Sequence, residues 1–500
     1  MTISYRWLCE YLPAPIPKEE LSTILTSIGL EVESLEMYEN FKGGLQGLVV
    51  GEVLELVQHP NADKLKLTKV NVGGDRPLNI VCGASNVAIG QKVVVAQIGT
   101  TIYPKAGAPI TMKLAKIRGE ESEGMICAED EIGLSEDHAG IMVLDSSIQV
   151  GTLVATLYDY DQDWIYEIGL TPNRMDAMSH FGVAKDVCAY LTYHANKAEP
   201  ISPLNQTPTI NAAMEPMDVV IENPEACARY SGILIEGVKV GPSPAWLKNK
   251  LQSIGARSIN NIVDITNFIL HETGQPLHAF DAAKIQGKKL VVKKCAPNSL
   301  FTTLDEKERK LTAEDLMICD IEKPMCIAGV FGGLDSGVSE STTSIFLESA
   351  YFNPVAIRKT AKRHALNTDA SFRFERGVDP NQSIYALKRA AMLIQEIAGG
   401  EITSDIIDIY PNKIKDFEVR LSFKNAEKLI GEEIPKETIK RILSSLDIKV
   451  NNVTETGLGL TVPAYRNDVQ READVIEEIL RVYGYNNIKT SEKLNASISS

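Results

Sequence analysis

The sequence holds no Cys-x-x-Cys pair, no Gly-x-x-x-x-Gly-Lys-Ser/Thr loop, no His-Glu-x-x-His helix and no Gly-x-Ser-x-Gly elbow. These absences argue in turn against a zinc ribbon or thioredoxin motif, a P-loop nucleotide site, a zinc protease and an α/β-hydrolase nucleophile. The eight cysteines are scattered, which speaks against a disulfide scaffold and fits a reducing compartment. No run reaches the ~18 apolar residues of a membrane helix. Arg6 and Glu10 interrupt the opening MTISYRWLCEYLP where a signal peptide needs an unbroken apolar core. A cytoplasmic protein with no membrane partner is expected. Histidine is scarce, at seven residues, and positive charge is in deficit: 51 basic against 66 acidic side chains leave a net charge of −15. An acidic surface repels nucleic acid, so any RNA contact must be local.

What is present suits a chain of several domains: 500 residues, 44% hydrophobic and 23% charged. The charge is uneven. Residues 64–118 carry Lys64, Lys66, Lys69, Arg76, Lys92, Lys105, Lys113, Lys116 and Arg118 against a single acid, Asp75, and an acidic block from Glu120 to Asp137 follows. Short β-type runs in the same stretch, LNIVCG and QKVVVAQI, suggest a small barrel of the oligonucleotide-binding kind, whose basic face would suit an RNA backbone. A solvated lysine-rich surface explains the same composition. Residues 196–216 are polar and hold four prolines, which marks a linker. Residues 217–400 mix strand-like KKLVVKKC and SIFLESAYF with the helical YALKRAAMLIQEIAG, and a smaller domain follows from about 412. The two ends share a repeat: IPKEELSTILTSIGLEV (16–32) and IPKETIKRILSSLDIKV (434–450), each predicting a helix with proline and acid in its first turn.

Three strings carry chemistry. HPNADKLKLTKV (59–70), with IVCGASNV (80–87) downstream, reads as a turn leading into a basic strand. GARSINNIVDITNFILHETGQPLHAFD (255–281), IAGVFGG (327–333), FLESAYF (346–352) and RHALNTDASFRFERGVDP (363–380) place Asn267, His278 and Glu348 among apolar neighbours. A carboxylate there is costly unless it is paired or receives a ligand hydrogen bond. Six basic groups from Arg358 to Arg376 suit either phosphates or paired surface charges. Finally, VPAYRNDVQREADVIEEILRVYGY (462–485) spaces Asp474, Glu477 and Glu478 on one helical face, with Asp468 near the start of the helix. Such oxygens suit Mg²⁺, and equally a solvated acidic face.

Together these strings resemble the β subunit of bacterial phenylalanyl-tRNA synthetase. SYRWLCEYL resembles its N-terminal module, and HPNADKL with IVCGASNV its tRNA-binding domain. TPNRMDAMSHFGVAKD resembles the segment beyond, with Lys185 where arginine is expected. GQPLHAFD, GVFGG and TDASFRFERGVDP resemble its editing domain, and RNDVQREADVIEEILRVYGY its B5 module. The resemblance implies a multidomain α+β fold with an inserted OB-fold barrel, a large editing (B3/B4) domain and small helical B1 and B5 modules. It places the B1 module at 1–40 with a return segment at 157–195, the barrel (B2) at 41–156, the linker at 196–216, the editing domain at 217–400 and B5 at 412–490. Residues 491–500 would begin a catalytic-like and anticodon-binding remainder that stops at Ser500.

The implied function is support of ATP-dependent charging of tRNA(Phe), with the ATP and phenylalanine sites on an α subunit in an α2β2 enzyme and hydrolysis of mischarged Tyr-tRNA(Phe) on this chain. A non-catalytic tRNA-binding or assembly fragment and a free-standing deacylase are the alternatives. Glu348 is expected to contact the tyrosine hydroxyl. Asn267, His278, Ala328, Gly329 and Thr368 match other pocket positions, Arg257 lies near the tRNA end, and His278 positions water or substrate. Lys64, Lys66, Lys69, Lys113, Lys116 and Arg118 are expected to meet tRNA. Asp468, Asp474, Glu477 and Glu478 match Mg²⁺ ligands completed by the α subunit.

Overall fold

The structure is a computed structural model that describes residues 1–195, 198–203, 207–212 and 214–489. The expected remainder at 491–500 and parts of the 196–216 linker lie outside the described residues. Residues 37–163 form one compact unit, and 1–36 with 164 onward form the other.

In the 37–163 unit, strand Leu48–Gln58 is central. Lys66–Asn71 and then Leu78–Cys82 lie on one side of it, and Lys92–Gln97 on the other. Gly124–Ile126 and Val143–Leu144 pair with Lys92–Gln97, curling the sheet into a nearly closed, OB-like barrel. The run KVVVAQ is continuous rather than alternating because both of its faces are covered. Val93 and Val95 enter one core while Val94 and Ala96 enter another. Gly51 lets the strands approach, since a Cβ there would stand 2.7 Å from both Val70 and Val95.

In the other unit, Thr2–Ser4 pairs with Gln162–Gly169, which also borders Glu31–Glu39. Trp7 is stacked between His180 and Phe268, at ring-centre distances of 4.0 and 4.7 Å. The two copies of the repeat fold alike. Helices Lys18–Ser27 and Lys436–Ser445 follow Pro17 and Pro435, which sit at the N-cap rather than inside the first turn. Both helices then close on a left-handed residue, Gly29 (φ 87°) or Asp447 (φ 62°). The next amides, Leu30 and Ile448, donate back to Leu25 and Leu443 at 2.9 and 3.0 Å, the pattern of a Schellman turn. Each copy ends in a strand of a three-stranded sheet, Glu31–Glu39 or Lys449–Val453, so both end modules combine helices with a sheet.

The middle of this unit holds a sheet ordered Leu277–Asp281, Ser344–Phe352, Cys227–Glu236 and Glu401–Ile402. One face, with Ile345, Leu347, Ile233 and Ile235, joins the core formed with helices Asn261–Thr273 and Ser383–Ile397. The other face, with Phe346, Ala350, Tyr230 and Phe280, packs against a second sheet that includes Lys289–Lys294, Leu316–Cys319 and Pro324–Ile327. Described residues at 198–214 lie along this body: Ile201 donates to the Tyr11 carbonyl and Asn211 to Ile402, at 2.8 and 2.9 Å. Among the described residues no helix is long and apolar enough to cross a membrane.

Candidate functional site

Glu348 lies in the middle of strand Ser344–Phe352, where alternation turns it to the second core face beside Phe346 and Ala350. It is only 5% exposed. Gly232 and His278 stand directly opposite it on the two neighbouring strands. Gly232 can bear no side chain, because a Cβ there would lie 2.2 Å from the Phe346 ring. Tyr230, two residues along on the same face, donates its hydroxyl to Glu348 Oε2 at 2.7 Å. Burial pushes the Glu348 carboxyl up to about 8, against the pull of the tyrosine hydrogen bond, so it holds its proton at neutral pH. A neutral acid in an apolar wall can donate as well as accept.

His278 completes the cluster. Its ring meets Phe280 edge-on at 4.4 Å, and its Nε2 is buried with no hydrogen-bond partner. Burial pushes the imidazole down to about 4, so it is neutral. An orphaned buried nitrogen costs about 1–3 kcal/mol and marks a place where water or a ligand would be accepted. The glycines of GVFGG explain themselves here: a Cβ on Gly332 would come within 3.1 Å of the His278 ring and 2.9 Å of Leu304.

The other expected pocket residues divide. Ala328 is buried in this same core, its amide donating to the Leu316 carbonyl at 3.0 Å. Gly329 turns the chain at φ 66°, under Phe352, Ile357 and Phe374. Thr368 caps helix Asp369–Phe374 and donates to the Val330 carbonyl at 3.0 Å, tying that helix to the GVFGG loop. Asn267 is half-buried on helix Asn261–Thr273, whose apolar side covers the opposite sheet face. Arg257 is exposed in the loop after helix Ala245–Ser253. The basic groups near 358–376 are dispersed: Arg363 pairs with Asp315, Arg373 is buried against the Met178 carbonyl, and Arg376 stacks on Phe372. Tyr230 escapes sequence reasoning, since nothing local in SGILIE or ARYSG shows which distant carboxyl it meets.

In the barrel, Lys64, Lys69, Lys113, Lys116 and Arg118 are exposed, whereas Lys66 is half-buried with its ammonium 3.4 Å from the Ser85 carbonyl. Strand alternation sends Lys66 and Lys69 to opposite faces, and Lys69 pairs with Glu55 at 2.9 Å. The HPNAD string is anchored on the KIRG hairpin. His59 accepts from the Asn61 amide through Nδ1 at 3.0 Å, which leaves Nε2 to donate to the Ile117 carbonyl at 3.2 Å. The Asn61 side chain reaches Arg118 O at 3.3 Å. A cavity of about 670 Å³ lies between the Gly83–Ser85 loop, Lys113 and Ile117.

The carboxylates of the last string meet arginines. Asp468 takes a two-pronged contact from Arg466, at 3.1 Å on each oxygen. Glu478 accepts from Arg466 at 2.7 Å and from Arg481 at 2.8 and 2.7 Å. Arg481 continues to Asp186 at 3.0 Å, and Arg174 joins Asp186 to Asp176. Asp474 caps its helix, accepting from the Gln470 and Arg471 amides at 3.1 and 2.9 Å. Glu477 is exposed while Glu478 is buried, so the helix shows no common acidic face. The described residues contain no group of three or more His, Cys, Asp or Glu placed to hold a metal ion. As arranged, this donor set does not fit Mg²⁺, because guanidinium groups and helix amides already occupy oxygens of Asp468, Asp474 and Glu478, leaving only the exposed Glu477 clear.

Three domain families match the chain: a tRNA binding domain over residues 48–153, a B3/4 domain over 226–399 and a tRNA synthetase B5 domain over 419–485. That combination defines an aminoacyl-tRNA synthetase component. Over 499 residues the chain is 54% identical to the phenylalanine–tRNA ligase β subunit of Bacteroides thetaiotaomicron and 53% identical to that of Bacteroides fragilis, covering 100% of this chain and 61% of each relative. The Geobacter metallireducens subunit is 44% identical over 488 residues, with 98% of this chain and 59% of the relative covered. The chain belongs to the phenylalanine–tRNA ligase β-subunit family and spans about 61% of the length of these first relatives.

Proposed function

We propose that this chain serves the charging of tRNA(Phe) with phenylalanine by holding the tRNA and hydrolysing Tyr-tRNA(Phe) formed in error. ATP is consumed at a site on an α subunit, in an α2β2 assembly of the cytoplasm. The observation that carries the editing assignment is the Glu348, Tyr230 and His278 cluster, polar chemistry set into an apolar core of a B3/4 domain. Tyrosine is phenylalanine plus one hydroxyl, and an apolar synthetic pocket rejects an added hydroxyl by only about 10². A second site that hydrogen-bonds the hydroxyl selects the wrong product and spares the right one. Glu348 supplies that contact, and the neutral His278 positions water or substrate through Nε2.

The chain is expected to hydrolyse tyrosyl-tRNA(Phe) faster than phenylalanyl-tRNA(Phe), as followed by loss of radiolabelled ester. Equal rates, or binding without turnover, would leave only a tRNA-capturing role. For the barrel, Lys64→Ala, Lys113→Ala and Lys116→Ala together are expected to weaken tRNA binding. They should also flatten its salt dependence by roughly 0.7–0.9 in log–log slope for each phosphate no longer neutralised. An unaltered slope would make these lysines mere solvated charge.

A further inference from the structure

We propose that Tyr230 is the positioning residue that gives Glu348 its selectivity for a hydroxyl-bearing aminoacyl group, by occupying one carboxyl oxygen and leaving the other to the ligand. The inference rests on the editing assignment given to Glu348 above. A carboxyl can rotate about its terminal torsion, and a freely turning acid offers a ligand two interchangeable oxygens in a spread of directions. Here that freedom is removed. Tyr230 donates to Oε2 at 2.7 Å, and it is the sole hydrogen-bond partner of the Glu348 carboxyl among the described residues. The phenol itself cannot shift, being fully buried at the strand position diagonal to Glu348 and held in the second core.

The proton follows from the same contact. A phenol that donates to Oε2 makes that oxygen the carbonyl-like one, so the acid proton resides on Oε1. A tyrosyl hydroxyl arriving at Oε1 then finds a donor fixed in place. A phenylalanyl ring would leave the same donor desolvated and unmatched, which is the asymmetry that allows strong rejection. Gly232 belongs to the arrangement, since the open position between Tyr230 and Glu348 on that face is filled by the Phe346 ring, which walls the pair off. The other titratable groups facing this carboxyl are His278 on one side and the thiols of Cys227 and Cys326, all neutral through burial.

The test compares the whole chain with Tyr230→Phe, Glu348→Ala and the double variant, measuring kcat and KM for hydrolysis of Tyr-tRNA(Phe) and Phe-tRNA(Phe). Tyr230→Phe is expected to cut the tyrosyl preference about tenfold, the worth of one neutral hydrogen bond, through a higher KM for the tyrosyl substrate alone. In the Glu348→Ala background the same change should add nothing, because its effect passes through the carboxyl. Calorimetric binding of free tyrosine and phenylalanine gives a second reading: partial unfolding lowers the stoichiometry without altering the affinity ratio. Slowing of both substrates alike, an unchanged ratio in Tyr230→Phe while Glu348→Ala loses it, or a persisting effect in the double variant would each overturn the role of Tyr230. No loss in Glu348→Ala would instead overturn the editing assignment beneath it.

Discussion

Glu348→Ala is expected to reduce the preference for tyrosyl- over phenylalanyl-tRNA(Phe) by about 100-fold, the larger part of it from slower tyrosyl hydrolysis. The substitution removes the only polar group on its strand that meets Tyr230, leaving that phenol buried without an acceptor. Part of the effect therefore comes from the cavity and the orphaned hydroxyl, and the rest from the hydrogen bond to substrate. Hydrolysis of the phenylalanyl ester separates the two contributions, since damage to the pocket slows both esters and failed recognition slows one. A preference within twofold of the parent would remove Glu348 from the recognition step.

Glu478→Ala is expected to cost roughly 3–5 kcal/mol, measured as a shift in the urea transition of the 1–36 and 164–489 body. Its carboxyl sits between two guanidinium groups, Arg466 at 2% and Arg481 at 6% exposure. Truncation leaves both charges buried beside each other, with only Asp468 and Asp186, among the described residues, as their remaining carboxylate partners. Arg481 already carries an Nη1 with no partner, so the loss cannot be absorbed by a simple swing of that side chain. The comparison is Asp474→Ala, which removes a partly exposed helix cap and should cost about 0.5–2 kcal/mol. Equal small losses from both variants would mean that the arginine cluster is solvated and that Glu478 remains free for other partners.

The two variants also mark how far the sequence can be read. The isolation of Glu348 within FLESAYF is visible, because a carboxyl flanked by apolar residues on a strand-like run has few alternatives. Its partner is not, since Tyr230 lies 118 positions away and meets it only through strand register. Asp474, Glu477 and Glu478 are legible as a helical set, yet the arginines that meet Glu478 are not. Local spacing shows which acids neighbour one another, whereas Arg481 and Asp186 meet across 295 positions. The barrel is readable because short β runs and turn residues recur within it. Its lysines cannot be sorted by composition, because strand parity and the pairing of Lys69 with Glu55 decide which of them face outward free. The repeat extends further than spacing alone indicates, down to a shared turn in which glycine in one copy is replaced by aspartate in the other.

The return strand sets a timetable for making the protein. Thr2 pairs with Glu167, and Ile3, Trp7 and Leu8 join a core that also needs Phe268 and Leu387. At ~5–20 residues per second a ribosome needs roughly 8–30 s to reach Glu167 after Thr2, and longer to reach the later partners. The intervening 37–163 unit has cores of its own and can close in that interval. Residues 2–8 are thus made well before the strand and helices that cover them, and the 37–163 unit lies between them in the order of synthesis.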